Sequence, residues 1–574
     1  MHRLIKVGIT LALFAHVTAQ AAESLAPLTP DWSENAMIDP YGRANPYGWD
    51  QVTLAQKVRA GLHHALNYPV TPTGLLLPEK TAYEFMNAKP GDPLFALMKT
   101  LLSFNPDFKN FKGIWDWMGL HDYPANETEI PYPKAGIRPD YPMGVTIMER
   151  NHTSGITFSC AVCHSAELFG KPILGLTNRF PNANSIFVLG QKFLHDVPPS
   201  ILTIMTDSNR ADVELYKIDR KNIRSVGTKK PVTLGLDTAL SQVALSLARR
   251  AHTPWAEKDT QAEDHPRPDL LDTKVADSKP AVWWNVKYKT KWLSDGAVVS
   301  GNPILTNIIW NELGRGSDLK VLDRWISENA TIFEELATAV FATKAPRWED
   351  YLGENTLNLT RAKRGEMLFA QNCAHCHGQY EKAWSLSNLE FSKKKSADPT
   401  LSLSTTLRAR YFAQTPVVNV GTDPGRKDGM VSIADALNPL EISHEHGIKN
   451  VVQDGYVPPP LEGIFSRYPY LHNNSVPNLC ALMTKPANRP KNYISGAPMN
   501  KYTDYDQQCV GYPIGNKTPK AWIKAKDAKV HWFYTKTEGL SNSGHYEGIF
   551  TTSSGAERYT IEEKFDLIEF LKTL

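Results

Sequence analysis

Four of the six cysteines fall into two copies of one spacing, Cys160-Ala161-Val162-Cys163-His164 and Cys373-Ala374-His375-Cys376-His377. C-x-x-C-H is the spacing at which two thiols can add across the two vinyl groups of one porphyrin while the next residue delivers an imidazole to the iron. With 6 cysteines and 17 histidines in 574 residues, two chance copies are expected in roughly one such chain in a million. A zinc site would use paired C-x-x-C units without requiring a following histidine twice. A thiol redox pair accounts for one copy at most. The motifs therefore point to two covalently bound haem c groups, attached through Cys160, Cys163, Cys373 and Cys376, with His164 and His377 as proximal iron ligands. His375, inside the second motif, reads as a solvent-facing spacer.

The occupant of each iron's sixth position decides what the iron can do: His or Met makes an electron-transfer centre, and an open site admits O2 or peroxide. After His164 the next histidine is His195, followed by Asp196-Val197-Pro198-Pro199 and read as capping a turn. His252 and His265 stand in a polar stretch and read as solvated. An open distal side is expected for the first haem, with Trp283 and Trp284 as its aromatic wall or, alternatively, as plain core. For the second haem the candidates are Met430, His444, His446, His472 and His545. His545 lies in a loop of small residues, Gly539 to Gly548, that lets backbone and imidazole come close to a porphyrin face. His472, in Tyr470-Leu471-His472-Asn473, reads as a ligand, a catalytic group or a loop staple.

Cys480 and Cys509 remain. In an oxidising compartment an even remainder reads as a disulfide, the alternative being two free buried thiols. That compartment follows from the first residues: His2, Arg3 and Lys6 precede the apolar run Val7 to Ala15 and the small-x-small site Ala19-Gln20-Ala21. This is the pattern of a secretory signal over residues 1–21, too short for a membrane span of roughly 20 apolar residues. A periplasmic or secreted protein without a membrane span is expected.

Helices must position these groups. Leu359 to Phe369 is helix-like, with Ala362, Gly365 and Phe369 on one face just before Cys373. Thr560-Ile561-Glu562-Glu563 forms a capping box ahead of the apolar positions Phe565, Leu567, Ile568, Phe570 and Leu571. A glycine on the first helix lets the second cross closely, with Phe369 beside the crossing; the pair resembles the terminal helices of class I cytochromes c. Further helices are expected at Leu236–Arg250 and Leu319–Thr343, and a long surface loop from Thr253 to Lys279. The fold class expected is mainly α with long irregular loops, in two cytochrome c-like haem domains: an enlarged one at 22–354 and a second at 355–574. A balance of 63 basic against 60 acidic residues, net +3, argues against nucleic acid as a partner.

The motifs Gly421-Thr422-Asp423-Pro424, Pro459-Pro460-Leu461-Glu462-Gly463-Ile464 and Tyr470-Leu471-His472-Asn473 resemble the bacterial dihaem cytochrome c peroxidases and the methylamine-utilisation dihaem enzyme. The first half, through Cys163-His164-Ser165-Ala166, Leu168-Phe169-Gly170, Gly175 to Phe180 and Lys279 to Asn285, looks more like the dihaem rubber oxygenases. The resemblance implies that the haem on His164 binds O2 and is catalytic, and that the haem on His377 is six-coordinate with His545 as distal ligand. It places His472 between or beside the haems. The peroxidases carry a distal histidine soon after the first motif, and this sequence has none there.

The leading expectation is thus an oxygenase that activates O2 at the first haem and cleaves an apolar alkene, both oxygen atoms entering the product. His472, Trp283 and Trp284 are its candidate catalytic residues. The alternatives are a peroxidase reducing H2O2 with electrons from an external donor, and a plain electron carrier.

Overall fold

The helix Ile561–Leu571 starts at Thr560, whose side chain accepts the Glu563 N–H while Glu563 accepts the Thr560 N–H, so the capping box forms as expected. It crosses the helix Leu359–Asn372 at Gly365, where an added Cβ would stand 2.0 Å from the Asp566 carbonyl oxygen. Phe369 packs on Phe570 with ring centroids 5.2 Å apart. Arg364 holds both carboxylate oxygens of Asp566, at 2.7 and 2.9 Å. These details belong to a computed structural model, which describes residues 37–38, 45–89, 91–94, 110–412 and 414–574. The signal-like residues 1–21 lie outside them.

A second glycine-crossed pair was not legible in the sequence. The helix Gln51–Asn67 crosses Ala330–Ala342 at Gly61, whose Cβ would meet the Glu335 carbonyl oxygen at 1.9 Å. Lys57 and His64 both bond the Glu335 carboxylate, at 3.0 and 2.9 Å. Each C-x-x-C-H motif therefore stands, in chain order, between the members of one such pair.

The two motifs are delivered differently. The second follows directly from the helix Leu359–Asn372, whose C-cap is Cys373. The first hangs from a β-hairpin, Val145–Arg150 paired with Thr153–Phe158, whose two-residue turn has both Asn151 (φ 51°) and His152 (φ 65°) left-handed. That backbone twist matches the strands it joins. Leu77–Pro78 pairs with the other edge of Thr153–Phe158, making a three-stranded antiparallel sheet.

Elsewhere the chain is mainly helical with small sheets and irregular loops, as expected. The expected helix at Leu236–Arg250 spans Ala239–Ala248. The one at Leu319–Thr343 is two helices, Leu319–Glu328 and Ala330–Ala342, broken at Asn329, whose side chain bonds back to the Trp325 carbonyl. The stretch Thr253–Lys279 is not all surface loop: Thr260–Asp264 is helical, and Leu271 and Ala276 are buried in the first core. That core also takes in Met430, Ile433 and Leu437 from the second half, while Leu168, Leu236 and Tyr288 of the first half join the core of the second. Among the described residues no helix is long and apolar enough to cross a membrane.

Cys480 and Cys509 form a disulfide, with Cα atoms 5.0 Å apart and a sequence separation of 29. Closing a loop of this length stabilises by about 3–4 kcal/mol. A thiol reductant attacks S–S bonds and leaves carbon–sulfur thioethers intact. Mild reduction, or Cys509→Ala, should therefore lower urea stability by about 3–4 kcal/mol without loss of covalent haem, as followed by tryptophan fluorescence and haem absorbance in parallel.

Candidate haem centres

Both motifs wind one turn of helix, with His164 N–H bonded to the Cys160 carbonyl (3.1 Å) and His377 N–H to that of Cys373 (3.0 Å). Residues i, i+3 and i+4 share one face of such a turn, so two thiols and an imidazole are presented together. All four cysteines lack a disulfide partner and are partly buried. The imidazoles are held alike: His164 Nδ1 bonds the Ala281 carbonyl at 2.9 Å, and His377 Nδ1 bonds that of Pro459 at 2.8 Å. A carbonyl can only accept, so Nδ1 carries the proton and Nε2 keeps its lone pair for a metal. Burial pushes both imidazoles down to about 4, which keeps them neutral.

The two centres differ in what faces the imidazole. His545 stands across from His377, ring centroids 6.1 Å apart. Two imidazoles sharing one metal through bonds of about 2 Å have ring centres about 6 Å apart. Burial first, and the neighbouring His377 next, push His545 down to about 3. Its Nδ1 is buried without a hydrogen-bond partner among the described residues. A neutral, enclosed imidazole at this spacing suits an iron between the rings. Its loop is seated by Gly544 (φ 74°), where a Cβ would meet Gly421 and Thr422 at 2.3 Å, and by the His545 N–H on the Val420 carbonyl at 2.8 Å. The other candidates lie elsewhere: Met430 is in the first core, His444 is exposed, and His446 bonds Asp323 at 2.9 Å. His375, His195, His252 and His265 are exposed.

Beside His164 the ring is Trp283, at 5.6 Å, and among the described residues no imidazole stacks with it. The Trp283 N–H bonds the Gly175 carbonyl (2.9 Å) and the Gly175 N–H that of His164 (2.7 Å). The backbone of Trp283 is thus tied through Gly175 to that of His164 itself. Trp284 turns away into a cluster of Ala166, Leu176 and Val282, its indole N–H on the Glu462 carbonyl at 2.9 Å. The pair expected as one aromatic wall therefore takes two different places. Next in line, the Asn285 side chain donates to the Pro460 carbonyl at 3.1 Å, one residue from the carbonyl that holds His377.

His472 lies against this same region, its carbonyl accepting the Lys279 N–H at 2.8 Å. Its ring stacks face to face on Tyr456, centroids 4.0 Å apart and 14° from parallel. Burial, then the charges of Arg426 and Lys279, push it down to about 3. The carbonyls of Ala281 and Pro459 were missed in the sequence because any residue supplies a carbonyl.

The fold includes a cytochrome c-like domain, which implies covalently bound haem c, and each C-x-x-C-H turn presents a donor set that would hold it. The family model described as RoxA-like, cytochrome c-like matches residues 455–494, which include Pro459, Arg467 and His472. Two proteins of Sinorhizobium fredii (strain NBRC 101917 / NGR234) are similar over part of the chain. The uncharacterized protein y4iM is 26% identical over 232 residues, 38% of this chain and 49% of that protein. The uncharacterized protein y4iJ is 26% identical over 281 residues, 40% of this chain and 41% of that protein. The chain thus spans less than half the length of each of these relatives.

Proposed function

We propose that this protein is an exported dihaem c-type oxygenase that activates O2 at the haem on His164 and cleaves an apolar alkene. The region 22–354 would carry that haem and 355–574 the second. The observation that carries the reading is the asymmetry of the two sites: His545 stands across from His377 with ring centroids 6.1 Å apart, and among the described residues no imidazole stacks with His164. When bound, haem supplies O2 activation where the iron is open and electron storage where it is closed. The likeness to the RoxA-like cytochrome model over 455–494 favours the oxygenase over the peroxidase.

The chain's own part is to hold and connect. The Ala281 and Pro459 carbonyls fix which imidazole nitrogen is free. Trp283, Trp284 and Asn285 lead from His164 to the backbone of 460–462, one residue from the His377 partner, a short covalent and hydrogen-bonded route for electrons. His472, neutral and clamped on Tyr456, is assigned to the space beside the haems, available to hold or pass a proton.

Aerobic incubation with polyisoprenoid and small-alkene panels should yield carbonyl products, with two haems per chain by pyridine haemochrome and one CO bound per chain after reduction. Peroxide turnover with a reduced cytochrome donor, without carbonyl products, would identify a peroxidase. No CO binding at all would identify an electron carrier.

A further inference from the structure

Near the carbonyls that hold the two imidazoles, the chain gathers more positive charge than it balances, with Lys289 buried and Lys279 and Arg467 half-buried. Lys279, two residues before the carbonyl that holds His164, donates from Nζ to the carbonyls of Pro469 (2.5 Å) and Arg467 (3.1 Å). The Arg467 guanidinium donates to the Pro460 carbonyl at 2.7 Å and is close enough to His377 for its charge to be felt there. Lys289 is 8% exposed and lies within electrostatic reach of Arg467. Arg426 is paired with Asp295 at 2.9 Å. Lys279, Lys289 and Arg467 have no ion-pair partner among the described residues. The carboxylates felt there are Glu462, by Arg467, and Asp295, by Lys289 and paired with Arg426; against Lys279, Lys289, Arg467 and Arg426 they leave an excess of cations.

A cation withdrawn from water without an anionic partner is unfavourable, and like charges close together make it more so. Burial, and after it the Arg467 charge, hold Lys279 well below the usual ammonium range and push Lys289 down to about 8, while burial alone pushes Arg467 down to about 10. Three cations converging on one interior region need an anion there. Each haem carries two propionate carboxylates, and lysine and arginine are the natural partners of such groups.

We propose that Lys279, Lys289 and Arg467 form a carboxylate-binding site that takes haem propionates from the two centres and couples their reduction electrostatically. The inference rests on the two-haem reading above. Positive charge beside a haem favours its reduced state, so removing a cation lowers the reduction equilibrium constant.

The test uses holoprotein variants Arg467→Gln, Arg467→Lys, Lys279→Met and Lys289→Met, with haem counted by pyridine haemochrome before any other measurement. Potentiometric titration of Arg467→Gln should show the His377-bound haem's reduction constant lowered about tenfold, or 59 mV for a one-electron couple, with Arg467→Lys close to wild type. Lys279→Met should lower the constants of both haems. The propionate bending bands in resonance Raman spectra should shift in each charge-removing variant. Should Arg467→Gln not fold, Lys279→Met and Lys289→Met carry the same readouts. Wild-type protein titrated with acetate or inorganic phosphate should show no change. A saturable shift that is lost in Lys279→Met would make the ligand a free anion and overturn the proposal. Folded variants with two haems and unmoved potentials and Raman bands would overturn it as well. Fewer than two haems in the wild type would instead remove the reading beneath it.

Discussion

Replacing His545 by alanine is expected to convert the second haem from a low-spin, six-coordinate centre to one that binds CO, raising CO uptake from one to two per reduced chain. The expectation follows from how the imidazole is held. Its own N–H is tied to the Val420 carbonyl at 2.8 Å, and Gly544 is packed against Gly421 and Thr422 so closely that a Cβ would meet them at 2.3 Å. The loop is therefore fixed by backbone contacts that alanine keeps, and deleting the ring removes a ligand without moving its neighbours. No other candidate can take over: Met430 is locked in the first core and His446 is bonded to Asp323. Added imidazole should restore the low-spin spectrum. Retention of that spectrum in the variant, without added imidazole, would mean that a different residue is the ligand. Ligand binding at the His164 centre should be largely intact, since its imidazole is oriented by Ala281 and neighboured by Trp283.

The parts of this arrangement that were legible in the sequence are those with short-range chemical causes. A C-x-x-C-H turn presents its thiols and imidazole together because i, i+3 and i+4 share a face, a Thr-x-x-Glu start is imposed by helix N–H groups, and the Gly- and Ser-rich loop lets His545 come within 6.1 Å of His377. The helix Gln51–Asn67 escaped because its apolar stripe is weak and its partner lies more than 260 residues further on, at Ala330–Ala342. Trp283 and Trp284 were read as one unit, yet they begin the 3-10 helix Trp283–Tyr288, in which successive side chains point about 120° apart. One therefore reaches the imidazole while the other enters the core. The placing of Met430 follows the same logic. A methionine is a candidate ligand by type alone, but Ile433 and Leu437 carry it into the core built by Leu240 and Val243, and only the tertiary packing decides between the two.

Alanine at Gly365 should destabilise the protein, although alanine is the better helix former by about 1 kcal/mol. The sign is set at the crossing of Leu359–Asn372 with Ile561–Leu571. There the new Cβ would stand 2.0 Å from the Asp566 carbonyl oxygen and 2.8 Å from the Phe570 Cβ, well inside ordinary contact. The obstacle is helix backbone, which cannot rotate away as a side-chain tip can, so the helices must separate. Separation loosens the Phe369–Phe570 contact at 5.2 Å and the two Arg364–Asp566 bonds. Overpacking of this kind costs about 1–3 kcal/mol, occasionally more, and valine should exceed alanine. Gly190, inside the helix Ala183–Asp196, provides the matched control because a Cβ there meets nothing within 4 Å. Gly190→Ala should stabilise by up to about 1 kcal/mol through helix propensity alone. Urea melts of the two alanine variants should thus move in opposite directions. Gly365→Val, against a total stability of about 5–15 kcal/mol, should also mature with less haem on the second motif. A Gly365→Ala variant as stable as Gly190→Ala would show that the crossing has slack the geometry denies.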